Sequence, residues 1–327
     1  MKKYCTYLFI SLFLVFSCKK DQKEEDNSAA AETETETTTM TKNSNFKFSL
    51  AQWSLHEPFL DGSLDPMDFA EIAKAEGYTG LEYVTQLYPQ VRDNKENYRE
   101  TVMALAAELK KRSDAAGMDN VLLMVDRDGE LADPDPEKRA EAVETHKLWM
   151  DAAALMGAHA IRANLFGEED PQKWHKISVA SLKELATYGA DKGVSILIEN
   201  HGGLSSNGKA LAAVMAEVNM PTCGTLPDFG NFCVKREGGE RWGAPCVEEY
   251  DIYQGIAELM PYAKGVSAKS YNFDAAGEET KLDYGKLMEI VADAGYTGYI
   301  GIEYEGDLDD PKEGMRLTKS LLEKYIN

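Results

Sequence analysis

The sequence predicts a single closed barrel of eight β/α units, a (β/α)₈ barrel, over residues 45–327. Short apolar runs, typical of buried parallel strands, alternate regularly with longer amphipathic stretches that are typical of helices. Residues that start and stop helices lie at the boundaries between them. The alternative is a doubly wound sheet, but residues 54–58 after the first strand lack the glycine-rich phosphate turn of that fold.

The predicted elements follow one another as eight strand–helix pairs. The strands are Phe46–Trp53, Gly80–Val84, Asn120–Asp126, Ala160–Phe166, Val194–His201, Thr222–Asp228, Lys264–Ser270 and Tyr299–Glu305. The helices are Asp65–Glu76, Tyr98–Ala116, Asp135–Met156, Trp174–Lys192, Asn207–Val218, Asp251–Leu259, Asp283–Ala294 and Pro311–Tyr325. Asp65-Pro66 and Asp135-Pro136 are N-cap signals, and five C-cap glycines precede strands. These glycines are Gly77, Gly117, Gly157, Gly193 and Gly295.

The N-terminal residues resemble an export signal rather than part of the barrel. Lys2 and Lys3 precede an apolar run over residues 7–16, which is too short to span a bilayer but fits a signal peptide over residues 1–17. Ser17 before Cys18 resembles a bacterial lipobox, which predicts lipidation of Cys18; an ordinary signal peptide is the alternative. Residues 18–44 are expected to be a flexible acidic tether. We therefore expect an exported lipoprotein of the cell envelope, anchored to the membrane through Cys18 only.

The charge and cysteine content restrict the class of partner. Of the 327 residues, 35 are Lys or Arg and 56 are Asp or Glu, so the net charge is −21. A surface this acidic repels phosphodiester backbones and argues against nucleic acid as a partner. Three cysteines fall within the predicted barrel, Cys223, Cys233 and Cys246, and the sequence leaves open whether two of them pair.

Acidic side chains lie at or near the carboxyl ends of three predicted strands, at the end of the barrel where active sites of this fold lie. Asp228 ends the sixth strand, and Glu199 and Glu303 lie two residues before the ends of the fifth and eighth. His201 is two residues beyond Glu199 and shares its side of the strand. Three carboxylates and one imidazole form a donor set for a divalent cation, although any single one of them could be a helix cap or a loop ion pair.

These segments resemble the sugar phosphate isomerase/epimerase family, the xylose isomerase-like TIM barrels. The resemblance covers residues 46–326, and its carriers are residues 198–201, 228–231, 266–269 and 298–303. It implies one divalent metal ion (Mn, Zn, Co or Mg), with Glu199, Asp228 and Glu303 in three of four ligand positions. The fourth position is usually histidine, and here it is Ser267. His201, water or a substrate hydroxyl could replace that ligand, or metal binding could have been lost.

The resemblance also implies a reaction. The substrate would be a sugar or keto-sugar, with Glu199 and Glu303 moving a proton next to its carbonyl through an enediolate, and Lys269 stabilising the oxyanion. The expected activity is therefore that of an isomerase or epimerase. Further residues could bind the substrate; these candidates are Trp53, His56, Glu82, Arg162, Asn164 and Ser267.

Three other functions remain open on the sequence. The first is a lyase or hydratase acting on keto-sugars or 3-keto-glycosides, because the same proton abstraction can lead to elimination. The second is a non-catalytic sugar-binding lipoprotein, which the serine at position 267 would favour. The third is an apurinic-site endonuclease; that related class uses several histidines for three zinc ions, whereas only His56 and His201 lie near the predicted site.

Overall fold

The structure is a computed structural model that describes residues 46–326. The signal peptide, Cys18 and the tether up to residue 44 lie outside the described residues and remain predictions. In residues 46–326, no helix combines the length and the apolar composition that a membrane crossing requires.

Eight parallel strands form the predicted barrel. With all strands numbered in chain order, the barrel strands are β1 (Lys47–Ala51), β2 (Gly80–Val84), β3 (Asp119–Met124), β4 (Ala160–Ala163), β5 (Ser195–Glu199), β6 (Cys223–Leu226), β9 (Val266–Ser270) and β10 (Tyr299–Tyr304). Their order around the sheet is β6-β5-β4-β3-β2-β1-β10-β9. Isolated parallel bridges from Thr225 to Ala263 and from Asp228 to Ser267 connect the two outer strands. The (β/α)₈ barrel is therefore confirmed.

Helices surround this barrel and follow its strands. They are α1 (His56–Leu60), α2 (Phe69–Ala75), α3 (Pro89–Arg92), α4 (Tyr98–Ala116), α5 (Pro136–Met156), α6 (Pro171–Ala190), α7 (Gly208–Val218), α8 (Ile252–Leu259), α9 (Tyr284–Asp293) and α10 (Pro311–Ile326). The side chains of Asp65 and Asp135 accept hydrogen bonds from backbone N–H groups two residues on, as N-caps do. The five predicted C-cap glycines all have positive φ angles between 68° and 78°.

The barrel strands are nearly continuous apolar runs, because both faces of each strand are buried. Residues 196–198 of β5 are an example, because all three are fully buried aliphatic side chains. The polar residues of the strands therefore stand out. Arg162, Glu199, Lys269 and Glu303 are all at least 95% buried, and burial of such charges requires partners close by.

A short antiparallel hairpin interrupts the barrel pattern between β6 and α8. Its strands are β7 (Cys233–Arg236) and β8 (Cys246–Glu249), and a disulfide joins Cys233 to Cys246. The sequence had left the pairing open, and Cys223 is the free cysteine among the described residues. The hairpin holds the loop over residues 237–245 at the carboxyl end of the barrel.

Candidate active site

Glu199, Asp228 and Glu303 lie together at the carboxyl end of the barrel, as the sequence analysis expected. Glu199 is the last residue of β5, Asp228 follows β6 by two residues, and Glu303 lies within β10. One carboxylate oxygen from each residue lies within 4.8 Å of the other two, and all three residues are at least 96% buried. The parallel strands bring residues that are more than 100 positions apart in the chain to one point.

Backbone and amide hydrogen bonds fix the position of Asp228. Its Oδ1 atom accepts hydrogen bonds from the backbone N–H groups of Gly230 at 2.8 Å and Asn231 at 2.9 Å. The buried side chain of Asn200 accepts from the backbone nitrogen of Asp228 at 2.8 Å and donates to its carbonyl oxygen at 2.9 Å. Asn200 therefore links the end of β5 to the segment after β6 by two hydrogen bonds. These bonds fix Glu199 and Asp228 relative to each other.

Glu199 is held by a polar cluster on its other side. The amide of Asn231 donates to Oε1 of Glu199 at 2.8 Å. Oε2 lies 2.8 Å from Nε of Arg162, an ion pair in which neither atom has a properly aligned hydrogen bond within residues 46–326. Arg162 also donates to Asp126, which accepts a second hydrogen bond from Asn164. Burial opposes ionisation of Asp126, but the charge of Arg162 and the hydrogen bonds from Arg162 and Asn164 leave the pKa of Asp126 below its usual value.

Ser267 lies at the position where the family resemblance implies a histidine. Its Oγ atom lies 2.7 Å from Oδ2 of Asp228 and 3.0 Å from Oε2 of Glu303. Burial raises the pKa of Glu303 to about 8 and that of Asp228 to about 6, although the positive charge of Lys269 opposes both shifts. A serine hydroxyl carries one proton and donates to one carboxylate at a time, so a protonated Glu303 can supply the second hydrogen bond.

Lys269 is the cation that contacts both Asp228 and Glu303. Its Nζ atom lies 3.3 Å from Glu303 Oε1, 3.7 Å from Asp228 Oδ2 and 3.3 Å from Glu305 Oε1. Burial disfavours the ammonium, but these carboxylates hold the pKa of Lys269 well above its usual value. Sequence reasoning did not identify Glu305 as a site residue, although its spacing of two from Glu303 places both on one side of the chain.

The three acids fit a divalent cation. Oxygen atoms that bind one ion at about 2.0–2.6 Å lie no more than roughly 4–5 Å apart, and the three carboxylate oxygens lie within 4.8 Å of one another. Carboxylates also outnumber positive groups at this point, because Lys269 contacts three carboxylates and Arg162 is shared between Asp126 and Glu199. The residues present therefore supply both the donor atoms and the excess negative charge that a hard cation requires.

His201 lies beside this group of acids and not within it. Among the described residues, the set of side chains close enough to share an ion consists of the three acids alone. The Nδ1 atom of His201 instead donates to Oδ1 of Asn164 at 2.8 Å, and its ring packs against Trp242. Burial lowers the pKa of His201, which favours the neutral ring. His201 therefore forms part of the wall of the cavity described next.

A cavity of about 1160 Å³ opens above the acids. Glu303, Lys269 and Glu305 line it, together with Arg162, Asn164 and His201. On another side it is lined by Trp53 and His56, whose rings stack with their centres 4.3 Å apart. The cavity thus joins the acids to most of the side chains predicted to bind a substrate. Ser267 does not line the cavity and contacts the acids only.

Glu82, a candidate substrate contact, lies apart from the residues that line the cavity. The second strand ends at Val84, so Glu82 lies in its middle, and its buried carboxylate does not line the cavity. It accepts a hydrogen bond from Ser49 at 2.6 Å and occupies the space above Gly301, where a Cβ atom would lie only 2.4 Å from it. Glu82 is therefore a residue of the barrel interior.

Three comparisons relate this chain to known proteins. The chain is 44% identical over 72 residues to the 3'-dehydrocarminate deglycosidase alpha subunit of Microbacterium sp.. That match covers 21% of this chain and 21% of the relative, so it spans about a fifth of the relative's length. Among solved structures, 3-keto-D-glucoside 4-epimerase from E. coli superposes with a TM-score of 0.61 at 14% identity, over 86% of this chain and 99% of that one.

A xylose isomerase-like TIM barrel protein from Mycobacterium smegmatis, solved in complex with magnesium, superposes with a TM-score of 0.57. It is 14% identical, and the match covers 80% of this chain and 88% of that protein. At such identities the two superpositions show a shared fold. The family model described as "Xylose isomerase-like TIM barrel" matches residues 42–324, nearly all of the chain after the N-terminal segment. The chain therefore belongs to the xylose isomerase-like TIM barrel family.

Proposed function

We propose that this chain is a divalent-metal-dependent sugar isomerase or epimerase that abstracts a proton next to a carbonyl group. The observation that carries the proposal is the convergence of Glu199, Asp228 and Glu303 at one point beside a large cavity. Three buried carboxylates at one point repel one another unless a cation compensates their charge. Membership in the xylose isomerase-like family supports an enzyme rather than a non-catalytic binding protein.

Glu199, Asp228 and Glu303 would hold the ion, which when bound polarises a substrate carbonyl and a neighbouring hydroxyl. Glu303 is the acid/base group that faces the cavity, and it would take the proton from the carbon between those two oxygens. Glu199 would be its partner on the opposite strand. Return of the proton to the other face inverts that carbon, and its return to the former carbonyl carbon isomerises the sugar.

Lys269 would stabilise the negative charge that develops on the substrate oxygen. Support comes from its position in the cavity wall, where it lies 3.3 Å from Glu303 and keeps its charge among three carboxylates. A Schiff-base role is disfavoured because that chemistry needs the neutral amine. Arg162 and Asn164 would bind substrate hydroxyls from the fourth strand, and Trp53 with His56 would form a wall against the sugar ring.

A second candidate function is a lyase acting on 3-keto-glycosides. The similarity to a deglycosidase alpha subunit favours it, as does the structural likeness to a 3-keto-D-glucoside 4-epimerase. Proton abstraction is the same first step in both reactions. In the lyase the enediolate then expels a substituent from the neighbouring carbon, so that the C–O or C–C bond to the leaving group breaks and the electron pair leaves with it.

We also propose that the protein acts outside the cytoplasm, as the N-terminal signal and Cys18 predict. The disulfide between Cys233 and Cys246 supports this, because disulfides persist mainly in oxidising compartments. A membrane anchor would come from the lipid on Cys18, while residues 46–326 would meet free sugars or glycosides rather than sugar phosphates.

Deuterium exchange tests the reaction, and calorimetry tests the metal site. The protein is incubated in D₂O with Mn²⁺ and a panel of ketoses and 3-keto-glycosides, and NMR identifies the labelled carbon. We expect metal-dependent incorporation at one carbon, with loss of the aglycone if the enzyme is a lyase. Glu303→Gln should weaken Mn²⁺ binding at least about tenfold, whereas Glu289→Gln on exposed α9 should not. Unchanged binding in Glu303→Gln would remove the site as described.

A further inference from the structure

Trp242 is an exposed aromatic residue at the edge of the cavity and has no part in the proposed reaction. It lies in the loop between β7 and β8 and lines the cavity, yet 46% of its surface remains accessible. Its ring centre lies 4.9 Å from that of His201 and 5.9 Å from that of Phe166, which it meets edge-on. One side of the indole is thus supported by the barrel while much of it stays open.

A disulfide and two contacts of Arg241 hold the loop that carries Trp242 in place. The disulfide between Cys233 and Cys246 closes its base. Near its tip, Arg241 forms an ion pair of 2.6 Å with Glu130, which belongs to the segment after β3. The guanidinium of Arg241 also lies 4.4 Å from the ring centre of Phe166. The indole is therefore held in a defined place above the cavity, as a preorganised binding surface requires.

The size of the cavity shows that a single sugar leaves space beside this surface. Pockets for small molecules typically occupy about 300–1,000 Å³, and this cavity of about 1160 Å³ is larger than that range. His201, on which the indole rests, is only two residues beyond Glu199. A ring held at Trp242 would therefore be a neighbour of the sugar held at the acids, within the reach of one glycosidic bond.

We propose that Trp242, Phe166 and Arg241 form a subsite for a second ring of the substrate, joined to the reacting sugar by a glycosidic bond. The proposal rests on the proposed function and specifies its substrate as a keto-glycoside rather than a free monosaccharide, because the blocked anomeric carbon of a glycoside offers no carbonyl of its own. The shared chemistry is a ring with an apolar face, which an exposed indole recognises. An aryl aglycone and a second sugar both present such a face, and the experiment distinguishes them.

The test measures binding without turnover. Isothermal titration of the mature protein uses methyl β-D-glucopyranoside, phenyl β-D-glucopyranoside and cellobiose, which share one sugar and differ in the second group. The subsite predicts that phenyl glucoside, cellobiose or both bind about tenfold more tightly than the methyl glucoside. Preference for the phenyl compound alone would assign an aryl aglycone, and preference for cellobiose alone a second sugar.

Variants of the loop connect this preference to Trp242. Trp242→Ala should reduce the preference for phenyl glucoside or cellobiose over methyl glucoside to within about twofold, while the affinity for methyl glucoside is unchanged. Trp242→Phe should retain most of that preference. Leu155→Ala, which removes another exposed apolar side chain on α5, is the matched control. Equal affinity for all three compounds, no measurable binding of any, or an unchanged ratio in Trp242→Ala would overturn the subsite. None of these outcomes depends on deuterium exchange, which tests the reaction separately.

Discussion

Glu82 should make the fold less stable as the pH rises from 5 to 8, and Glu82→Gln should remove most of that loss. The carboxyl is 1% exposed, accepts one hydrogen bond from Ser49, and has no partner for Oε2 within residues 46–326. Burial is the main reason that its pKa rises to about 7, and the nearby charge of Glu199 adds to the effect. The barrel therefore favours the neutral form of Glu82.

The size and sign of the effect follow from linkage between protonation and folding. In the unfolded chain Glu82 titrates near 4.5 and in the fold near 7, so between these values only the native state keeps the proton. The stabilisation is complete below pH 4.5 and is lost as the pH rises through 7. The difference between the two pKa values corresponds to about 3 kcal/mol, because each unit is worth about 1.4 kcal/mol.

Urea denaturation followed by circular dichroism measures this directly. Free energies of unfolding are obtained at pH 5 and pH 8 in EDTA for the natural protein, Glu82→Gln and the exposed control Glu289→Gln. Every other titrating group is shared, so the loss between the two pH values should be about 2–3 kcal/mol smaller in Glu82→Gln than in the other two proteins. Equal losses in all three would show that Glu82 is ionised in the fold and would refute the reasoning.

Three further predictions concern the supports of the site. Replacing both Cys233 and Cys246 by serine should destabilise the hairpin by up to about 3 kcal/mol, because the disulfide closes a short loop in the unfolded chain; limited proteolysis should then cut within residues 237–245. Asn200→Ala should lower stability by about 2–3 kcal/mol and weaken Mn²⁺ binding, because it releases the backbone of Asp228; calorimetry and urea titration measure the two effects. Glu279→Gln should destabilise the fold by about 2 kcal/mol in urea titration, because this carboxylate accepts four backbone N–H groups, from Tyr271, Asn272, Lys281 and Leu282. A variant whose urea unfolding curve matches that of the natural protein would contradict the corresponding assignment.

The barrel could be predicted from the sequence because its strands are buried on both faces and its helices carry strong boundary residues. At the end of the first strand the observed boundary differs from the predicted one, because hydrogen bonds of a side chain replace those between strand backbones. The first strand was predicted to run to Trp53 but ends at Ala51. Gln52 then donates to the hydroxyl of Tyr88 and accepts from the backbone nitrogen of Val84. A side-chain hydrogen bond of this kind depends on residues about 30 positions away, and no local pattern indicates it.

The site was predictable only in part, for a related reason. Glu199, Asp228 and Glu303 follow aliphatic runs, and the parallel topology carries strand ends to one place. Their supporting residues have no such pattern: Asn231 reaches Glu199 across a loop, and Asp126 is paired by Arg162 from the next strand. The hairpin also has no alternating apolar pattern, since all four residues of β8 are exposed and a disulfide closes the strand pair.

We infer that Ser267 affects which divalent metal ion the proposed site would favour. A histidine there would add a nitrogen ligand, whereas the serine hydroxyl contacts Asp228 and Glu303 and adds only oxygen. Among the described residues, His201 does not restore the nitrogen, because its ring lies outside the group of side chains close enough to share one ion. All-oxygen sites suit Mg²⁺ and Mn²⁺, while imidazole ligands suit Zn²⁺. We therefore infer that, among the ions the family resemblance allows, Mg²⁺ or Mn²⁺ fits this chain better than Zn²⁺, and that the loss of the histidine alters the ion preferred rather than the capacity to bind one.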